Sequence, residues 1–395
     1  MKRVLSISTL YPNSASPRFG TFVARSMEAL AAQGDWQVTM INPIGVPPIA
    51  FGRYRALRRA AMGGFEQGIE VHRPTFTLIP RLGARINPGV IARTILPLVT
   101  RLHRDQPFDL VDAQFFYPDG PVAARIAEKL GLPFTVKARG SDITYWGGRG
   151  FAAEQMVDAA RRATGLLAVS QALAEDMAAL GMDRNKITIH YTGLDRERFR
   201  PLGHAGLRTR LNDTLGLSLP ETRPVLATVG ALLELKGQHL VIGALPTLPG
   251  MHLMLVGKGE NERQLRDLAA KLGLADRVHF LGSIDHDMLP LVLSAADAMV
   301  LPTRNEGLAN AWVESLACGT PVVTCGVGGA GELVTEPAAG ELVERSIPAI
   351  VAGIRAVLAR EAPREDVAAT VDRFDWRIHS AELAAYYDRL VAQVS

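Results

Sequence analysis

Short apolar, β-branched runs alternate with amphipathic stretches along almost the whole chain. In the first half the runs are RVLSIS, QVTMINPI, IEVHRP, DLVDAQF, PFTVKA, GLLAVS and KITIHYT. Between most of them lie segments with apolar residues three and four apart, such as FVARSMEALAAQG and GPVAARIAEKLG. Near-continuous apolar strands separated by helices predict a parallel sheet covered on both faces. The pattern then restarts with VLATVGAL, MHLMLVG, RVHFLGS, AMVLPT and PVVTCGV. The economical reading is α/β, with two Rossmann-like doubly wound domains facing across a cleft. Each unit should offer a crevice at the carboxyl ends of its strands, and the ligand site should lie between the two. The break falls in LDRERFRPLGHAGLRTRLNDTLGLSLPETRP, which is charged and carries several Gly and Pro. The expected domains are therefore 1–200 and 201–374. The amphipathic segment DWRIHSAELAAYYDRLVAQ makes 375–395 a final helix crossing back to the first domain.

Composition narrows the class. The 395 residues suit two or three domains at roughly 100–200 residues each. Hydrophobic content of 48% supplies large cores, and a net charge of +3 gives no sequence-wide case for nucleic acid. Lysine is rare, so one placed beside glycines is hard to dismiss as surface filler. The two cysteines, Cys318 and Cys325, form no cluster and read as reduced buried thiols. The nine histidines show no paired metal-ligand spacing, so no metal site is expected. MKRVLSISTLYP does not read as a signal peptide, and no run approaches the ~20 apolar residues of a membrane span. The expected location is the cytoplasm, with peripheral contact at the inner membrane face left open.

The chemistry concentrates in NEGLANAWVESLACGTPVV, residues 305–323. AMVLPT predicts a buried strand, RNEG a loop, and LANAWVESLACG a helix that stops at Gly319. Glu306 then sits just before a helix N-terminus and Glu314 about two turns along it. Free N–H groups at Gly307, Leu308 and Ala309 can hold a phosphate or diphosphate. Carboxylates repel such an anion but accept hydrogen bonds from hydroxyls. Amides for phosphate beside carboxylates for hydroxyls are what a sugar nucleotide requires. The plainer alternative is that Glu306 caps the helix and Glu314 is solvated. In TVGALLELKGQHL a strand ends at Gly230 and a helix begins near Gly237, with Lys236 between as a point charge suited to a diphosphate. LVGKGENERQL sets Gly257 and Gly259 at a strand end, a pattern that also fits an ordinary tight turn.

The run PTRNEGLANAWVESLACGTPVVTCGVGGAGELV resembles the signature of retaining glycosyltransferases of family 4, which have two Rossmann-like domains in the GT-B arrangement. The resemblance extends over nearly the whole chain. It implies that Glu306 contacts the donor sugar, that Glu314 contacts the nucleotide ribose, and that Gly307 to Asn310 line the donor. It places Gly230 and Lys236 at the diphosphate, Gly257, Lys258 and Gly259 along the nucleotide, and Ile284 of FLGSI at the base. Gly20 of TLYPNSASPRFGTFV would let the backbone approach the donor phosphates and the acceptor. The family's G-R-L becomes Gly230-Ala231-Leu232, so one phosphate-binding Arg is missing. Its H-G-x-D becomes Arg139-Gly140-Ser141-Asp142, with Arg139 replacing the histidine near the donor sugar. Arg139 would bring positive charge to the donor phosphate or to a charged acceptor. The implied catalytic set is Glu306, Lys236, Arg139 and Asp142.

The implied reaction moves a sugar from a nucleotide-diphosphate sugar to a hydroxyl of a glycan, a lipid-linked molecule or a small molecule, with retention of configuration. The donor is a substrate, so no cofactor is expected, and no Asp-x-Asp motif calls for a metal. A nucleotide-sugar epimerase and a catalytically silent sugar-nucleotide-binding homologue are the alternatives. FGRYRALRRAAMGGF is basic and amphipathic; it suits an anionic membrane surface, or a solvated helix or loop.

Overall fold

The computed structural model describes every residue except 50, 80–82, 204–205 and 395, and for Arg53 the backbone alone. The chain divides into two units, Met1–Gly193 with Trp376–Ser395, and Leu194–Asp375.

The first unit holds β1 (Lys2–Ile7), β2 (Trp36–Ile41), β3 (Ile44–Val46), β4 (Gly64–Glu66), β5 (Ile69–His72), β6 (Thr75–Thr77), β7 (Leu110–Ala113), β8 (Phe134–Ala138), β9 (Gly165–Ala168) and β10 (Ile187–Ile189). Eight of them form one sheet in the order β10-β9-β8-β7-β1-β2-β5-β4. All neighbours in it are parallel except β4 with β5. The strand order reverses between β1 and β7, which opens a crevice at their carboxyl ends. Every residue of β7, β8 and β9 is buried, which is why these strands are apolar runs rather than alternating ones. The helix Trp376–Ala392 packs on this unit through Leu383, Tyr386, Tyr387 and Leu390, in one core with Val4, Met27 and Trp36.

The second unit holds β11 (Val225–Val229), β12 (His252–Val256), β13 (Val278–Gly282), β14 (Ala298–Leu301), β15 (Val322–Cys325) and β16 (Gly340–Val343). They form a wholly parallel sheet in the order β13-β12-β11-β14-β15-β16. Its reversal lies between β11 and β14. Leu226, Val241, Leu253, Val300, Ile350 and Ile354 belong to the core against the covering helices.

Both doubly wound units match the expected α/β class. Four short strands, β3, β4, β6 and β16, escape the apolar-run pattern because IGV, GFE, TFT and GELV mix glycine, threonine or glutamate with one or two apolar residues. The helix after β14 corrects another expectation. It spans Asn310–Ala317, so Leu308 and Ala309 precede it, and Ala309 is extended (φ −72, ψ 117). Gly307, Leu308 and Ala309 therefore do not form the first helical turn. The cause is tertiary: the Gly307 carbonyl accepts the Gly329 N–H at 2.7 Å, and Leu308 and Ala309 are buried. No helix among the described residues is long and apolar enough to cross a membrane.

Candidate active site

In the second unit the functional side chains sit where the strand order reverses. The loop after β11 runs from Gly230 through a short 3-10 turn, Glu234–Lys236, to Gly237. The loop after β14 runs from Pro302 to Ala309. The Arg304 N–H donates to the Leu235 carbonyl at 2.8 Å, and Arg345 bridges the Pro302 and Glu234 carbonyls. These ties bring Lys236 onto Glu306, and the two side chains form an ion pair. Their side chains are only 19% and 15% exposed, so neither is a surface charge.

Glycine is required here by close packing. Gly237 adopts φ +78, and a Cβ there would collide with the Pro302 carbonyl. Gly257, after β12, would collide with the Gly230 carbonyl. The Leu232 N–H donates to the Lys258 carbonyl at 3.1 Å, and the Gly257 N–H to the Gly282 carbonyl at 2.7 Å. The structure thus gathers Gly230, Lys236, Gly257, Gly259 and Glu306 at one end of the sheet. Lys258 is exposed beside them, and Ile284 lies just past β13. Ala231 is exposed, where an arginine would have reached solvent.

Glu314 lies in the second turn of its helix, 14% exposed, and its Oε1 is 3.2 Å from His286 Nε2. His286 Nδ1 lies 3.0 Å from Arg198 Nη1, and Arg198 also pairs with Asp287 at 3.2 Å. Sequence reasoning missed His286 and Arg198. Their partners are distant in the chain, and no local pattern marks them.

The first unit gathers a second polar group at the carboxyl ends of β1, β7 and β8. The Asp142 carboxylate accepts four backbone N–H groups, from Phe116, Arg139, Gly140 and Ile143, at 2.8–3.1 Å. Its oxygens are spent on shaping this loop. Arg139 donates from Nε to the Gln114 carbonyl at 3.1 Å and from Nη2 to the Gln114 side chain, and it stacks over Phe22. Burial lowers the Arg139 guanidinium to about 10, against the pull of Asp112 and Asp142. Gly20 (φ +75) presses on the Leu10 main chain, where a side chain would collide.

Lys137 is fully buried, with Nζ 2.6 Å from His190 Nδ1. Burial pushes the Lys137 amine well below its ordinary value, reinforced by Arg139. His190 is likewise held well below the usual imidazole range by burial and by Lys137. His190 Nε2 meets the His379 carbonyl at 2.8 Å, so the ring is a neutral hydrogen-bonding bridge. His190, His379 and Glu382 bring ligand-type atoms within 4.8 Å of one another, a grouping that sequence spacing hides. Both nitrogens of His190 are engaged in these hydrogen bonds, which leaves that ring poorly disposed to bind a cation.

Asp119 is buried as well. It accepts the Thr9 N–H at 2.9 Å, and burial raises its carboxyl to about 7, with Asp142 and Asp112 adding to the rise. An unfolded aspartate titrates near ~4. Between ~4 and ~7 the folded state holds a proton that the unfolded state has lost, so stability falls as pH rises through this window. Asp119→Asn keeps the acceptor oxygen and removes the titration. Its stability is expected to exceed the parent's by roughly 2–4 kcal/mol at pH 8, and to match it at pH 4. Denaturant melts of the two proteins at both pH values check this, and equal differences at both would refute it.

Comparison with known proteins supplies the remaining information. Residues 215–372 match the family described as glycosyl transferases group 1, and residues 19–193 match the glycosyl transferase 4-like domain. The 2-deoxystreptamine glucosyltransferase of Streptomyces kanamyceticus is 30% identical over 362 residues, covering 82% of this chain and 89% of that protein. Sucrose-phosphate synthase from Thermosynechococcus elongatus superposes with a TM-score of 0.80 at 20% identity over the whole of both chains. Anabaena HepE, in complex with UDP and glucose, superposes with a TM-score of 0.75 at 20% identity, covering 98% of this chain and 99% of that one.

Proposed function

The chain belongs to the group 1 glycosyltransferases of the family 4 type, with the GT-B fold, and from this premise we propose that it transfers a sugar from a nucleotide-diphosphate sugar to an acceptor hydroxyl with retention of anomeric configuration. The observation that carries the reading is the Lys236–Glu306 pair, held half-buried by close-packed glycines at the sheet's switch point. The nucleoside diphosphate in the Anabaena HepE structure supports a donor of that class.

In this reading the bond between the sugar's anomeric carbon and the diphosphate oxygen breaks, and the acceptor oxygen bonds to the same face of that carbon. The acceptor proton passes to the departing diphosphate. Lys236 neutralises the charge that develops on the leaving group, with the amides at the start of Asn310–Ala317 adding to it. Glu306 accepts hydrogen bonds from sugar hydroxyls, and Glu314, oriented by His286, takes those of the ribose. The backbone at Gly230, Gly257, Lys258, Gly259 and Ile284 borders the nucleotide. Arg139 presents its charge to an anionic acceptor, and Asp142 acts as a positioning residue that fixes the Arg139 loop. These donors suffice without a metal, so turnover is expected to survive chelator.

The test has two steps. A matched sugar nucleotide at about 100 times its Kd stabilises the native state by ~2.7 kcal/mol. For domains of this size that raises the melting temperature by about 5–10 °C. Uridine, guanosine and adenosine diphosphate sugars are screened this way. The donor that binds is then incubated with hydroxyl acceptors, and the product anomer is read by NMR. Sugar epimerised without acceptor, or tight binding with no turnover in any acceptor, would refute the transfer reading.

A further inference from the structure

We propose that the first unit docks on an anionic lipid bilayer through the helix Arg53–Arg59 and the loops on either side of it. Three observations carry this. First, the chain from Trp36 to Phe65 contains no acidic residue, while Arg55, Arg58 and Arg59 are exposed. Among the described residues none of the three enters an ion pair. Glu66, which ends the acid-free stretch, is neutralised by Arg73 at 2.5 and 2.9 Å.

Second, large apolar side chains stand exposed in the chain on either side of this helix. Ile49 is 70% exposed, Phe51 67%, Met62 73% and Phe65 77%. Guanidinium groups beside protruding aromatic and aliphatic side chains suit the boundary between lipid headgroups and acyl chains.

Third, this apolar surface is not the helix's own folding stripe. Tyr54 and Leu57 turn inward and, with Ile44, Phe76 and Leu78, line a cavity of about 460 Å³. These two side chains are partly buried on the cavity side, whereas Arg55, Arg58 and Arg59 are exposed and remain for a partner. The helix spans only seven residues and its arginines flank apolar side chains, which suits shallow insertion rather than a groove-binding peptide.

Docking there sets the cavity beside the bilayer. If the transfer reading holds, on which this clause rests, the acceptor is an alcohol carried on a membrane lipid.

The experiment is flotation of the full chain with vesicles of phosphatidylcholine alone, or with about one third phosphatidylglycerol, at ~0.1 M salt. Binding is expected to the anionic vesicles only, and to weaken as salt rises. Each arginine near such a surface contributes roughly a fivefold factor, so R55Q/R58Q/R59Q should lower the partition coefficient about a hundredfold. Phe51→Ser with Met62→Ser should lower it about tenfold or more. Arg58→Gln alone, a milder change, should lower it about fivefold, so misfolding of the triple variant leaves a readable arm. Equal binding to both vesicle types, no binding to either, or unchanged partition in any variant overturns the proposal. Donor thermal shift in the same variants is expected to stay unchanged, so failed docking is distinguishable from failure of the transfer reading.

Discussion

Glu306→Gln is expected to tighten binding of a bare nucleoside diphosphate several-fold while cutting kcat/KM for transfer about a hundredfold. Lys236→Ala is expected to weaken the same diphosphate about tenfold and to cut kcat/KM by roughly 10²–10³. The opposite signs follow from the ion pair. In the structure Glu306 holds the Lys236 ammonium, so an arriving diphosphate must share it. Neutralising Glu306 removes a negative charge from the anion's site and frees the lysine, so the bare diphosphate gains. The sugar's hydroxyls lose a charged acceptor worth about 1.5–3 kcal/mol, so transfer suffers. Removing Lys236 does the reverse to the anion, and it also leaves a 15% exposed carboxylate unpaired. Calorimetric titration of the diphosphate against both variants, with steady-state kinetics beside it, reads the pair directly. If both variants weaken the diphosphate alike, the ion pair is only a structural tie and the site lies elsewhere.

How the pair forms shows what could be read without coordinates. The central strands of both large sheets were legible because a parallel strand buried on both faces must be apolar throughout, and Val225–Val229 or Ala298–Leu301 can be little else. Lys236 and Glu306 were each legible from their loops. Their contact was not, because it spans 70 positions and depends on Gly237 fitting under Pro302. The helix start was misplaced for a similar reason. Leu308 and Ala309 carry helical periodicity, but the Gly307 carbonyl is claimed by Gly329. His286 reaches Glu314, and Arg198 reaches His286, from separate parts of the chain, so nothing near Glu314 announces them. Lys137 and Asp112 left a faint signal, a charge inside an apolar strand. Their burial says only that a polar network exists, not which partner each takes. Fold follows from local periodicity, whereas the site depends on contacts between the loops that follow different strands.

Gly328→Ala is expected to cut kcat/KM at least a hundredfold although residue 328 touches no reacting atom. Gly328 sits at φ +51, where an L side chain costs about 1–2 kcal/mol. Its Cβ would fall on the Glu306 carbonyl oxygen and lie 2.8 Å from the Gly307 carbonyl oxygen. Those atoms are main chain and cannot swing aside as a flexible side chain would. The loop that carries Glu306 must therefore move outward, and the neighbouring Gly329-to-Gly307 hydrogen bond, 2.7 Å, must stretch with it. A displacement near 1 Å at a group that orients substrate costs on the order of 10² in rate. Gly326 supplies the control, since a Cβ there meets nothing within 4 Å and its φ lies outside the left-handed range. Gly326→Ala is expected to stay within about twofold of the parent, because open space imposes no shift on the loop. The two variants, compared in steady-state kinetics with their melting temperatures, separate displacement of Glu306 from general loss of stability. Wild-type kinetics in Gly328→Ala, or an equal loss in Gly326→Ala, would show that the glycine turn does not set the position of Glu306.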